Sequence, residues 1–121
     1  MAGIVHFSNF FRYMEVAETA FLRARGMTVS WTENGQRYGF PRVSTACDFK
    51  QPALFEDVLT ISVAVERVGI KSLSYRFEFT RGAEAIAIGR VTSVYCRSTP
   101  DHRMESLEIP AGIRAKLTSA L

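Results

Sequence analysis

Along this chain the spacing of apolar residues changes once, from a helical period to a period of two. Phe10, Met14, Ala17, Phe21 and Ala24 recur at steps of four, three, four and three, which places them on one face of a helix. Tyr13 and Ala20 widen that stripe, while Arg12, Glu15, Glu18, Arg23 and Arg25 fill much of the remaining surface. The pattern predicts a helix over residues 9–25. Ser8 or Asn9 is suited to cap its start, and Gly26 suits a left-handed stop.

From Val43 onward, alternation takes over. Val43, Thr45, Cys47 and Phe49 are interleaved with Ser44, Ala46, Asp48 and Lys50. Leu59, Ile61, Val63 and Val65 repeat the pattern, and so do Leu73, Tyr75, Phe77 and Phe79. Successive side chains of a strand point to opposite faces, so each segment offers one face to a core and a more polar one outward. Arg81-Gly82-Ala83 is short enough to close a hairpin. A last strand over residues 84–97 begins with Ile86 and Ile88 on one parity and continues with Val91, Ser93 and Tyr95 on the other. A bulge near Gly89 would reconcile the two. Residues 29–40 fit two patterns, a capping box at Ser30-Trp31-Thr32-Glu33 or a hairpin closed at Asn34-Gly35. The region reads as a short turn leading into a strand. Ile109-Pro110 introduces a short helix over residues 111–121. One long helix followed by four long strands predicts an α+β layer arrangement in a single domain, residues 1–121.

Composition narrows the class. The chain has 121 residues, 47% hydrophobic and 22% charged, a size and balance that suit one soluble domain with its own core. No apolar run approaches the roughly 20 residues that span a bilayer, and no secretion signal is visible. No membrane partner is therefore expected, and the cytoplasm is the expected location. Cys47 and Cys96 have no metal-ligand spacing and read as two buried free thiols in a reducing compartment. The formal charge of +3 is spread along the chain. It suits an anionic small ligand as well as a solvated basic surface, and no clustered basic stripe points to nucleic acid.

The amino-terminal residues carry the most specific signal. Gly3-Ile4-Val5-His6-Phe7, followed by Asn9-Phe10 directly before the helix, resemble the active-site entry of hotdog-fold acyl-CoA thioesterases of the 4-hydroxybenzoyl-CoA thioesterase type. Later segments follow in the family's order. Phe55-Glu56-Asp57-Val58-Leu59-Thr60-Ile61 resembles the entry to its central strand, and Glu66-Arg67 through Lys71-Ser72-Leu73 resembles its basic turn. Leu107-Glu108-Ile109-Pro110-Ala111 resembles its terminal segment. The resemblance implies a hotdog fold, a long central helix wrapped by an antiparallel β-sheet, with a first strand ahead of the helix that is truncated here. The family's catalytic Asp would stand immediately before Met1.

The resemblance also implies a chemistry: hydrolysis of an acyl- or aroyl-CoA thioester to a free acid and coenzyme A. No cofactor or metal is needed, and coenzyme A enters only as part of the substrate. The Asp would act as nucleophile or base. The backbone N–H of Phe7, at the start of the helix, would polarise the thioester carbonyl, a task suited to the unpaired donors and positive end of a helix. Gly3 would allow tight backbone passage beside the substrate, or simply form a turn. His6 is the nearby group that titrates near neutral pH and would serve as acid or base, or line the pocket. Asn9 would orient the loop or cap the helix. Glu15 matches a position that recognises the acyl group across a dimer interface, or is an exposed helix glutamate near Arg12. Lys71 matches a residue that contacts coenzyme A phosphates, with Arg67 nearby, or is simply a solubilising charge on an exposed hairpin; the two arginines that accompany it in the family are replaced by Gly69 and Ile70. A homodimer or homotetramer is implied. Two alternatives remain: a non-catalytic acyl-CoA-binding or regulatory protein, and a hotdog hydratase or dehydratase, although the Asp-x-Asn-Pro-x-His motif of the latter is absent.

Overall fold

The computed structural model describes residues 8–54 and 56–119. In chain order the elements are α1 (Ser8–Ala24), β1 (Ser30–Glu33), β2 (Gln36–Gly39), β3 (Arg42–Phe49), β4 (Thr60–Val68), β5 (Ser72–Arg81), β6 (Glu84–Val94), β7 (Cys96–Ser98), β8 (Met104–Ser106) and α2 (Ala111–Thr118). The four long strands form one antiparallel sheet in the order β3-β6-β5-β4. The short strands form a second antiparallel sheet in the order β1-β2-β7-β8. The expected α+β content, with one long helix on an antiparallel sheet, is the architecture found.

α1 buries the row Phe10, Met14, Glu18 and Leu22, four residues apart each time. The helix therefore turns a narrower face to the sheet than the expected stripe, leaving Ala17 and Phe21 at its margin. Opposite it, Leu73, Tyr75, Phe77 and Phe79 of β5 are fully buried, as their alternation requires. The Phe10 ring lies 5.1 Å from that of Phe79 and Phe21 lies 5.6 Å from Tyr75, both edge-on, the arrangement favoured by the ring quadrupoles. Below Met14 the sheet has no side chain: a Cβ on Gly89 would stand 2.2 Å from the Met14 sulfur. Gly89 is thus the notch in β6 that lets the helix approach. At its end, α1 is closed by a Schellman motif, with Met27 N–H donating to Leu22 C=O at 2.8 Å and Gly26 N–H to Arg23 C=O at 3.0 Å.

Four expectations change. The register passes Gly89 without interruption and shifts between Phe79 and Thr80, opposite Ile86. The bulge is therefore at Ile86, which lets Ile86 and Ala87 both be buried. The last strand is two, since the chain leaves the first sheet after Val94 and continues as β7 in the second. Residues 29–40 contain two paired strands rather than one, because Asn34 and Gly35, with φ of 53° and 76°, close the primed type of hairpin turn. Finally, β3 has little buried face: a bulge at Val43 breaks its register with β6, and only Cys47 is half-buried, because among the described residues β3 lies at the edge of the sheet.

α2 packs beside β4, with Ile109 and Leu117 buried. Pro110 stands at the cap position, just ahead of the first helical residue.

Candidate active site

The ring contacts fix the direction of α1 on the sheet. Phe10 meets Phe79 near the end of β5, whereas Phe21 meets Tyr75 near its beginning. The first turn of α1, at the positive end of the helix dipole, therefore lies toward the β5–β6 hairpin. Asn9 is the second residue of the helix and half-buried. That places it inside the first turn rather than at the cap. Gly3, His6 and Phe7, the residues implied for carbonyl polarisation and proton transfer, lie outside the described residues.

Glu15 is exposed on the flank of α1 and lines a groove of about 350 Å³ together with Thr19, Arg23 and Arg42. Behind this groove is a feature that the sequence pattern does not announce. Glu18, one step along the buried row, is 1% exposed and takes an ion pair from the Arg42 guanidinium of β3 through Oε1. Its Oε2, the Tyr75 hydroxyl and the Ser93 hydroxyl are all buried, with no hydrogen-bond partner among the described residues. Ser93 stands opposite Arg42 across the β3–β6 pairing. Burial raises the Glu18 carboxyl above the usual range, against the pull of Arg42. Burial also raises the Tyr75 hydroxyl, and the negative charge of Glu18 adds to the shift. Glu18 looks like a solvent-facing residue when the stripe is drawn wide. The signal that could have found it is the strict four-residue row from Phe10 to Leu22, in which it is the only polar member.

Arg67 and Lys71 flank the β4–β5 turn, and both are exposed. Glu66 is the extra residue of a bulge in β4, between Val65 and Arg67. The Lys71 backbone is fixed by Tyr95 N–H donating to its carbonyl at 2.8 Å. Lys71 precedes β5 and Phe79 lies near the far end, so at ~3.3 Å per residue the basic turn is roughly 25 Å from the first turn of α1. Within one chain, then, the fold brings Glu15 beside the Arg42–Glu18 pair but holds Asn9 and Lys71 at opposite ends of the sheet.

Known proteins share this fold. The family model described as the thioesterase-like superfamily matches residues 1–117, and the chain belongs to that superfamily. A curated relative from Aquifex aeolicus (strain VF5), provisionally named an esterase, is 29% identical over 94 residues, covering 78% of this chain and 71% of its own length. Among solved structures, a hypothetical protein from Aquifex aeolicus superposes with a TM-score of 0.80 at 21% identity, over 96% of this chain and 87% of that one. A 1,4-dihydroxy-2-naphthoyl-CoA thioesterase from Synechocystis gives 0.79 at 18%, over 95% and 83%. A gentisyl-coenzyme A thioesterase gives 0.74 at 24%, over 97% and 88%. The fold is the hotdog fold, and the superfamily is one of thioesterases. No helix among the described residues is long and apolar enough to cross a membrane.

Proposed function

We propose that the chain hydrolyses acyl-CoA thioesters to a free acid and coenzyme A, in a site shared between two copies. The observation that carries this reading is the superfamily match along residues 1–117. Water adds to the thioester carbonyl carbon, the oxygen becomes negative, and the C–S bond then breaks to release a thiol and an acid. The positive end of α1 suits that oxygen, with the backbone N–H of Phe7 as donor in the place the resemblance gives it. An Asp in the place that the resemblance gives it would activate the water or attack the carbonyl, and Gly3, His6 and Asn9 would shape the pocket around it.

The two ends of the substrate differ in chemistry, as do the two ends of this sheet. The acyl group would lie near α1, where Glu15 contacts it. The phosphates of coenzyme A would lie against Lys71 and Arg67. In a site shared between two copies, the helix of one and the basic turn of the other would hold the same substrate. The free thiols of Cys47 and Cys96 suit a reducing cytoplasm.

The test is thiol release from short, long and aromatic acyl-CoAs by a chain extended upstream to include the Asp. Turnover of at least one class is expected, with loss when that Asp is replaced by Asn. Absence of thiol release from every substrate would sink the proposal.

A further inference from the structure

The β4–β5 turn is held from below by a residue distant in sequence. Arg114, on α2, donates from Nη1 to the carbonyl of Val68 at 3.3 Å and from Nη2 to the carbonyls of Gly69 at 2.8 Å and Ile70 at 3.5 Å. The same turn is closed by Gly69 N–H donating to Ser72 C=O at 2.8 Å, and Ile109 N–H donates to Ile70 C=O at 2.9 Å. Three consecutive carbonyls are thereby turned toward one guanidinium. A planar fork suits this task, because it keeps several donors in fixed directions.

The electrostatic consequence concerns what the outer surface of the turn offers. Carbonyl oxygens facing outward would repel an anion. Here they are neutralised from inside, and the exposed side chains on either side are Arg67 and Lys71. Among the described residues no carboxylate pairs with Arg67, Lys71 or Arg114. The turn therefore gathers three cations, one of which sits against the backbone of Gly69 and Ile70, the two residues of the turn that could not themselves hold a charge.

We infer that Arg114 is a positioning residue for a phosphate-binding turn: it orients the segment from Arg67 to Lys71 and adds its own charge to the seat that takes the phosphate groups of coenzyme A. The inference rests on the acyl-CoA reading above and adds to it a residue from the opposite end of the chain. A fixed turn loses less freedom when an anion binds, and binding is tighter for that reason as well as for the added charge.

The experiment is equilibrium binding of coenzyme A, of pantetheine, which lacks the phosphates and the adenosine, and of adenosine, which controls for the nucleoside, to the full chain and its variants. The unsubstituted chain should bind coenzyme A more tightly, with an affinity that falls as salt is raised. Arg114→Met should weaken coenzyme A about tenfold and leave pantetheine unchanged, a difference of about 1.4 kcal/mol. Arg114→Lys keeps the charge and loses the fork, so it should weaken coenzyme A by less. Equal loss of both ligands in Arg114→Met, or no loss of either, would overturn the inference, as would an Arg114→Lys variant indistinguishable from the unsubstituted chain. If the unsubstituted chain itself fails to distinguish coenzyme A from pantetheine, the phosphate seat is wrong. Thiol release from acyl-CoAs then reports separately whether the hydrolase reading survives.

Discussion

The guanidinium of Arg42, on the exposed edge strand β3, reaches the carboxylate of Glu18 in the buried row of α1 and ties the helix to the sheet at its middle. The two partners are unequally buried, with side chains 30% and 1% exposed. Removing the arginine leaves a buried carboxylate without compensation, whereas neutralising the carboxylate leaves an arginine that can turn to water. Arg42→Met is therefore expected to cost about 3 kcal/mol of unfolding free energy, as when a buried pair loses one member. Glu18→Gln should cost less. Urea unfolding of both variants at neutral pH checks the order, and an Arg42→Met variant as stable as the parent would remove the pair from the account of the fold.

The same carboxyl gives stability a pH dependence with a definite sign. Glu18 is raised above its ordinary 4.5 by burial, so between the unfolded and folded values the native state holds more protons. Its contribution is complete below 4.5 and is lost as pH rises through the folded value. The stability of the parent relative to Glu18→Gln should therefore decline from acid toward neutral pH. Denaturant midpoints measured from about pH 4 to about pH 8 show this directly, and a difference that is flat or rises would contradict the burial of a charged Glu18.

Asp57 works in the opposite direction. The Leu54 backbone N–H donates to it at 2.7 Å and Arg81 at 2.6 Å. The N–H first and Arg81 second hold its carboxyl below the ordinary 3.8. Its contribution is present above 3.8 and is lost as pH falls through the folded value. Asp57→Asn should flatten the acid limb of the stability curve and leave the neutral region's slope unchanged.

These two carboxylates also mark what the sequence could and could not reveal. The β5 alternation was legible because each of its inward residues is large and apolar, and the structure buries all four. The same rule overreached at β3, since alternation records which side chains share a face, not whether anything covers it. Glu18 was misread because a charged residue within a loosely drawn stripe looks like surface; only its partner Arg42, on a strand remote in sequence, makes burial possible. Arg114 carries no local pattern at all, because its role depends on α2 meeting the β4–β5 turn. The implied roles of Gly3, His6 and Phe7 came from motif order alone and concern residues outside those described.

The contact between Met14 and Gly89 predicts a coupled pair. An alanine Cβ at position 89 would stand 2.2 Å from the Met14 sulfur and 3.3 Å from its terminal methyl, within a fully packed layer. Gly89→Ala should destabilise by about 1–3 kcal/mol through overpacking. Met14→Ala alone should cost about 2–5 kcal/mol by leaving a cavity. In the double variant the new methyl occupies part of that space, so the combined loss should be smaller than the sum of the two. A double-mutant cycle by chemical denaturation measures this, and strict additivity would show that the helix does not rest on Gly89.

The edge of β3 predicts assembly. Among the described residues β6 is its one partner strand in the sheet, and Val43 and Phe49 are 61% and 46% exposed along it. An open strand edge pairs readily with another chain, and a two-fold antiparallel pairing of β3 would join two sheets into one. In a pairing centred on Ala46, within the regular stretch from Ser44 to Phe49, the exposed Ala46 of one copy lies opposite Ala46 of the other. Introducing Ala46→Lys then sets like charges opposite each other at the centre of the pairing, which is destabilising. The unsubstituted chain should run at least as a dimer in light scattering, and the substituted chain as a folded monomer. Because the proposed site needs two copies, thiol release in the extended chain should fall in step with the dimer fraction. A folded monomer retaining full turnover would show that one copy holds the whole substrate.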